Sequence, residues 1–203
     1  MILESLHQDA FSEVINVGIG RAGSMLSDLV SQRIELHVPE LRICTLDELN
    51  ELLKSNGELL DTSIYQDFQG RVNGRAILGF PRESGLKLGQ ILAGLDDTPD
   101  ELDVDLSGIL VEVGNIVMNG VLGSIANMFE SQLSYTVPEL SVTDGVMELA
   151  RVNWLARPDM EQTVIYSDAH FSVAGTDVHG SLVLIFRLQE IEKAISSLLM
   201  ATA

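Results

Sequence analysis

The chain has 203 residues, 46% of them hydrophobic, a single cysteine and a formal net charge of −18. That size and apolar content suit a packed core, while one cysteine, Cys44, excludes an internal disulfide framework and fits a reducing cytoplasm. The acidic balance, with three lysines at Lys54, Lys87 and Lys193, disfavours nucleic acid and anionic membrane as partners, and no leader or bilayer-length apolar run is read, so cytoplasmic residence without membrane insertion is expected.

Residues 6–30 read as a long amphipathic helix. At about 100° per residue, Phe11, Val14, Ile15, Gly18, Ala22, Met25, Leu26 and Leu29 fall on one side. Asp9, Glu13, Asn16, Gly20, Ser24 and Ser27 fall on the other. Within this helix Gly18-Ile19-Gly20-Arg21-Ala22-Gly23 matches the dinucleotide-binding fingerprint letter for letter. The fingerprint works only where a strand feeds into it and a helix begins on its glycines, and here the helix is already running. A glycine inside a helix costs about 1 kcal/mol against alanine, so these need another reason. Gly18 and Ala22 are expected to let a sheet approach closely, with eased helix packing the equal alternative for Gly18 and Gly23, and Gly20, on the polar side, to leave room for another protein.

A short strand (33–38), a short helix (45–55), two longer strands (60–69 and 72–80) and a helix (83–94) follow. The acidic stretch DDTPDELDVD (96–105) then joins this half to a second with the same order: helix 104–130, strand 132–137, helix 144–150, strands 161–173 and 177–187, helix 188–201. Alternation in TVIYSDAHFSV and β-branched enrichment in SLVLIF carry the strand assignments. Gly70 and Gly175 supply hairpin turns, with Asn73-Gly74 competing as a turn site in the first. Tight turns pair strands antiparallel. Trp154 and Leu155 read as core or as a partner patch.

The two halves, about 1–95 and 106–203, are copies. Glu13-Val14-x-Asn16 recurs as Glu112-Val113-x-Asn115, and Val38-Pro39-Glu40-Leu41 recurs as Val137-Pro138-Glu139-Leu140, both at an offset of 99. In each copy 22 residues separate the Asn from the Pro. The expected fold is α/β of the α+β type: a single domain with a pseudo-twofold repeat of helix-strand-helix-strand-strand-helix, a mostly antiparallel sheet and two long helices carrying the motifs on one face.

A glutamate and an asparagine three apart point the same way on a helix. A lone pair of this kind is ordinarily a solvated face, and a structural bond from the Asn to a neighbouring loop is the alternative. Here the pair is duplicated, among small or polar neighbours: Asp9, Gly20 and Ser24 in one copy, Gly108, Asn119 and Gly123 in the other. Asparagine is a mediocre helix former, so its amide, which donates and accepts at once, is the better reason for its place. The histidines His7, His37, His170 and His179 read as scattered, and no metal-ligand spacing, P-loop or nucleophile elbow is present.

The arrangement resembles the CheC/CheX/FliY family of chemotaxis phosphatases, whose signature is Asp or Ser, three residues, Glu, two residues, Asn, 22 residues, Pro. The first copy matches in full at Asp9, Glu13, Asn16 and Pro39. The second matches at Glu112, Asn115 and Pro138 but has Gly108 in place of Asp or Ser; Ser107 is one position off. The likeness is nearest to the two-motif CheC form. It implies hydrolysis of the aspartyl phosphate of a phosphorylated CheY-like response regulator, with Asn16 and Asn115 orienting water and Glu13 and Glu112 pairing with the regulator's lysine. It implies no cofactor of the chain's own, since Mg²⁺ belongs to the regulator. A non-catalytic binding module is the rival, holding a response regulator, the deamidase CheD or a flagellar switch component. FliY chains append a further switch domain, for which these 203 residues leave no room.

Overall fold

The computed structural model describes residues 5–31, 33–38, 40–56, 59–151, 162–173 and 175–201. The first half runs α1 (Ser5–Val30), β1 (Ile34–His37), β2 (Arg42–Cys44), α2 (Leu46–Asn56), β3 (Thr62–Gln69), β4 (Gly74–Phe80) and α3 (Arg82–Ala93). The second repeats that order: α4 (Val104–Met128), β5 (Ser134–Tyr135), β6 (Glu139–Ser141), α5 (Val146–Arg151), β7 (Gln162–Val173), β8 (Thr176–Arg187) and α6 (Leu188–Ala201). Local chemistry sets several boundaries. Thr45 and Glu48 form a reciprocal capping box at α2, Thr45 N to Glu48 Oε2 at 2.8 Å and Glu48 N to Thr45 Oγ1 at 3.2 Å. Asp103 accepts from Leu106 N at the start of α4. Val173 pairs with Thr176 across the second hairpin, where Gly175 takes φ 81°.

All strand pairs are antiparallel, in the order β1-β7-β8-β4-β3-β5, with β2 also on β7 and β6 also on β3. The short strands therefore cross over: those of the first half pair with the long strand of the second, and the reverse. Sequence reasoning predicts one short strand before each shared proline and misses β2 and β6, the three-residue strands after it. Neither has enough residues to show alternation, and each is held by a partner from the other half.

Alternation along the central strands divides the core into two faces. Ile64, Phe68, Ala76, Leu78, Phe80, Leu182, Leu184 and Phe186 pack toward α1 and α4. Ile77, Val164, Tyr166, Val183 and Ile185 pack toward Leu49 and Leu53 of α2 and Val146 and Leu149 of α5. Helices thus cover both faces. Arg75, itself buried, reaches across to the second face, pairing with Asp67 at 2.9 Å and donating to Leu149 O at 2.9 Å.

The pairing of α1 with α4 fixes the site. Phe11 meets Phe129 edge-on, with ring centroids 6.0 Å apart, and Gly18 lies against Gly120, so the helices run antiparallel. A Cβ at Gly18 would stand 2.5 Å from Gly120 O, and one at Gly120 would stand 2.7 Å from Gly18 O. The close approach that Gly18 permits is thus to a helix, the helix-packing alternative, and not to a sheet. Two further expectations are corrected. Met25 and Leu29, placed on the apolar side by periodicity, are 54% and 56% exposed, because α4 and the sheet cover a narrower arc of α1 than its apolar residues span. Residues 104–128 are long and apolar enough to cross a membrane by composition, which the sequence reading overlooks. Twelve of the helix's residues are buried against α1 and the sheet.

Candidate functional site

Glu13 and Asn16 stand exposed on α1, as does Gly20 one turn further on, where an added Cβ would meet nothing within 4 Å. Asn16 lies two residues from Gly18, about 200° round the helix, and Asn115 lies five residues from Gly120, about 140° round. Neither Asn therefore lies at the glycine contact itself, and Glu112 is exposed while Asn115 is half-buried. The motifs stand on two different helices and form two separate sites.

The second site is more elaborated than the first. Asn115 Nδ2 approaches Glu112 Oε2 at 3.5 Å, and Asn119 Nδ2 donates to Asn115 Oδ1 at 2.7 Å, so a carboxylate and two carboxamides form a file along α4. Sequence reasoning names Asn119 only as a polar neighbour of the motif. The signal was available: an Asn four residues after an Asn places the two amides one above the other. Beside this file lies an open groove of about 550 Å³, lined by Asn119, Gly123, Arg21, Met25, Leu133 and Tyr135 among others. Gly114, next to Asn115, seats α4 on β3, since a side chain there would run into Ile64.

Of the supporting positions, the Asp9 side chain and Pro39 lie outside the described residues, as do Trp154, Leu155 and the His7 side chain. Pro138 is half-buried between β5 and β6, where Thr136 ties the segment to β3 by accepting from Asp67 N and, through its carbonyl, from Gln66 Nε2. Gly108 is exposed with open space around it. The proline segments differ between the copies: Val38 is buried, whereas its counterpart Val137 is 79% exposed.

Three of the histidines are not scattered. His37, His170 and His179 sit directly opposite one another on three adjacent strands, with the Nδ1 atoms of His170 and His179 2.7 Å apart. Among the described residues, no group of three or more His, Cys, Asp or Glu side chains is assembled to hold a metal ion. Burial, and to a lesser extent the nearby Glu48 carboxylate, pushes the Cys44 thiol up to about 11, away from the reactive thiolate.

No protein-family model matches the chain. It is 28% identical over 157 residues to the CheY-P phosphatase CheC of Bacillus subtilis (strain 168), covering 71% of this chain and 73% of that protein. Its fold is that of Thermotoga maritima FliY, at a TM-score of 0.71 and 15% identity over 98% of this chain and 99% of that one. A chain of the FliG–FliM complex from H. pylori is also similar, at a TM-score of 0.62 and 14% identity over 95% and 99% of the two chains.

Proposed function

We propose, from the likeness to the CheC sequence and to the FliY fold, that the chain is a protein aspartyl-phosphate phosphatase acting on a phosphorylated CheY-type response regulator in the cytoplasm. The observation that supports this reading is the placement of both Glu–Asn pairs outside the core of the long helices: Glu13, Asn16 and Glu112 are exposed and Asn115 is half-buried beside an open groove. Nothing in the core requires a carboxylate and a carboxamide there. Each half supplies one site, and each site is a convex rod that enters another protein's catalytic pocket.

In that pocket Asn16 or Asn115 holds a water in line with the phosphorus, using an N–H to orient the water's lone pair or its carbonyl oxygen to accept a water proton. Hydrolysis breaks the P–O bond to the aspartyl carboxylate and yields that carboxylate and inorganic phosphate. Such chemistry is accelerated by positioning and electrostatics more than by covalent participation. Glu13 or Glu112 forms a charge-assisted bond to the regulator's lysine and sets the register of docking. The regulator supplies the Mg²⁺, which neutralises charge on the phosphoryl oxygens.

Phosphate release from a phosphorylated regulator tests the reading. Asn16→Ala and Asn115→Ala each remove one site, and the double variant should fall on the order of 100-fold while still binding the regulator, the scale of a lost positioning group. Undiminished release by the double variant would refute it. A second reading is favoured by the likeness to a chain of the FliG–FliM complex: the same scaffold as a binding module, for a regulator, a CheD-type deamidase or a switch component. That module would bind the regulator without shortening the phosphoryl lifetime.

A further inference from the structure

The two sites differ at one position that touches the proposed water-orienting group. On the reading that Asn115 orients the attacking water, we propose that Asn119 is its positioning residue, fixing the Asn115 carboxamide in one orientation, and that the first site lacks this device.

The second-site amide is held from both ends. A carboxamide offers two N–H donors and two acceptor lone pairs. Asn115 directs one N–H toward Glu112 and one lone pair toward Asn119. One N–H and one lone pair remain for a water, and their directions are set. An ionised glutamate accepts only, so Glu112 selects the orientation: a half-turn of the Asn115 amide would set its Oδ1 against that carboxylate. Asn119, whose own amide both donates and accepts, adds the second and shorter hold on the orientation so selected.

Asn119 does no other visible work. It is exposed, it lines the groove beside α4, and asparagine is a poor residue for the interior of a helix. In the first copy the equivalent residue, 99 positions earlier, is Gly20. Among the described residues no hydrogen bond to the Asn16 amide is made, and both orientations of its carboxamide are open to it.

The test uses the full chain carrying Asn16→Ala, so that only the second site turns over. In that background Asn119→Ala should lower kcat roughly fivefold, the worth of one side-chain hydrogen bond, with KM for the phosphorylated regulator unchanged and the thermal midpoint not lowered. Asn119→Asp, the same shape without a donor, should lower kcat at least as far. Asn119→Gln, which keeps the carboxamide, should restore at least half the rate. In the reciprocal Asn115→Ala background, Gly20→Asn should raise the kcat of the first site, because the space for that side chain is open. Side-chain ¹⁵N relaxation on the unliganded protein gives a readout independent of turnover: the Asn115 amide should be more ordered than Asn16, and Asn119→Ala should abolish the difference. Unchanged kcat in both Asn119→Ala and Asn119→Asp, with release lost when Asn115→Ala is added, would overturn the role of Asn119 and leave the phosphatase reading standing. An inactive Asn16→Ala protein would overturn the claim that the held amide is the competent one. Full release by the Asn16→Ala, Asn115→Ala double variant would instead sink the phosphatase reading, and the relaxation comparison alone would then decide whether Asn119 holds Asn115.

Discussion

Gly18 and Gly20 lie two residues apart on α1, and alanine at the two should shift stability in opposite directions. At Gly18 the new methyl would stand 2.5 Å from Gly120 O, 2.7 Å from Val121 Cα and 2.9 Å from Gly120 C, all backbone atoms that no rotamer change can move. Relief requires α1 and α4 to part by roughly 0.8 Å, and a gap of that size forfeits a quarter to a half of the dispersion energy of the contacts it opens. Overpacking of this kind costs up to about 3 kcal/mol, and the better helix propensity of alanine returns about 1, leaving a net loss of about 2 kcal/mol. At Gly20 nothing lies within 4 Å of the added methyl, so only the propensity term acts and the gain is about 0.5–1 kcal/mol. Urea unfolding midpoints would read the difference directly. In thermal unfolding, at about 2–4 °C per kcal/mol for a domain of this size, Gly18→Ala should melt roughly 4–8 °C lower and Gly20→Ala about 2 °C higher. Shifts of the same sign in the two variants, or a Gly18→Ala protein as stable as the parent, would refute the account of the helix crossing.

The remaining predictions concern the second site and the cysteine. Gly108→Ser restores the residue missing from the second signature, enters open space and replaces a poor helix former; in an Asn16→Ala background it should raise phosphate release without lowering the thermal midpoint, and a slower enzyme would show that Gly108 is there to admit the regulator. Cys44, with its thiol held near 11 by burial, is roughly one part in a thousand thiolate at pH 8. Its reaction with a disulfide reagent in the folded protein should be slow at pH 8 and quicken about tenfold per pH unit up to pH 10. A group whose folded pKa is raised favours the fold in its protonated form. This contribution is complete below pH 9 and is lost as pH rises from 9 to about 11.

The helices and the four long strands were legible because each is specified within a window of ten to twenty residues, by period or by alternation. The Glu–Asn pairs were legible because duplication singled them out from ordinary solvated faces. The unread features depend on partners distant in sequence. β2 is a strand because β7 of the other half pairs with it, and Arg42-Ile43-Cys44 carries no signal of its own. Met25 and Leu29 satisfy helical periodicity, yet only the path of α4 determines which arc of α1 is covered. The Gly18 contact likewise required knowing which element crosses there. His37 joins His170 and His179 only through the β1-β7-β8 register.

The crossed strands bear on what the second Glu–Asn pair means. β1 and β2 complete the edge beside β7, and β5 and β6 complete the edge beside β3. Neither half can be discarded without exposing a sheet edge in the other, so the second half would persist on structural grounds even with an idle site. Its persistence therefore says nothing about catalysis. What the fold demands of α4 is specific: Gly114 against Ile64, Gly120 against Gly18, and the buried apolar face. Glu112 and Asn115 meet none of these demands, and Asn119 weakens the helix it sits in. An idle site on a required helix would be free to exchange such residues for better helix formers. Instead the second copy carries the full pair and a third polar residue bonded to it, while the first copy carries the complete signature. The two flanks differ, one carrying Asp9 and the other Asn119, and the proposed function expects both to turn over: Asn16→Ala and Asn115→Ala should each leave part of the phosphate release, and complete loss in either single variant would show that the other site is idle.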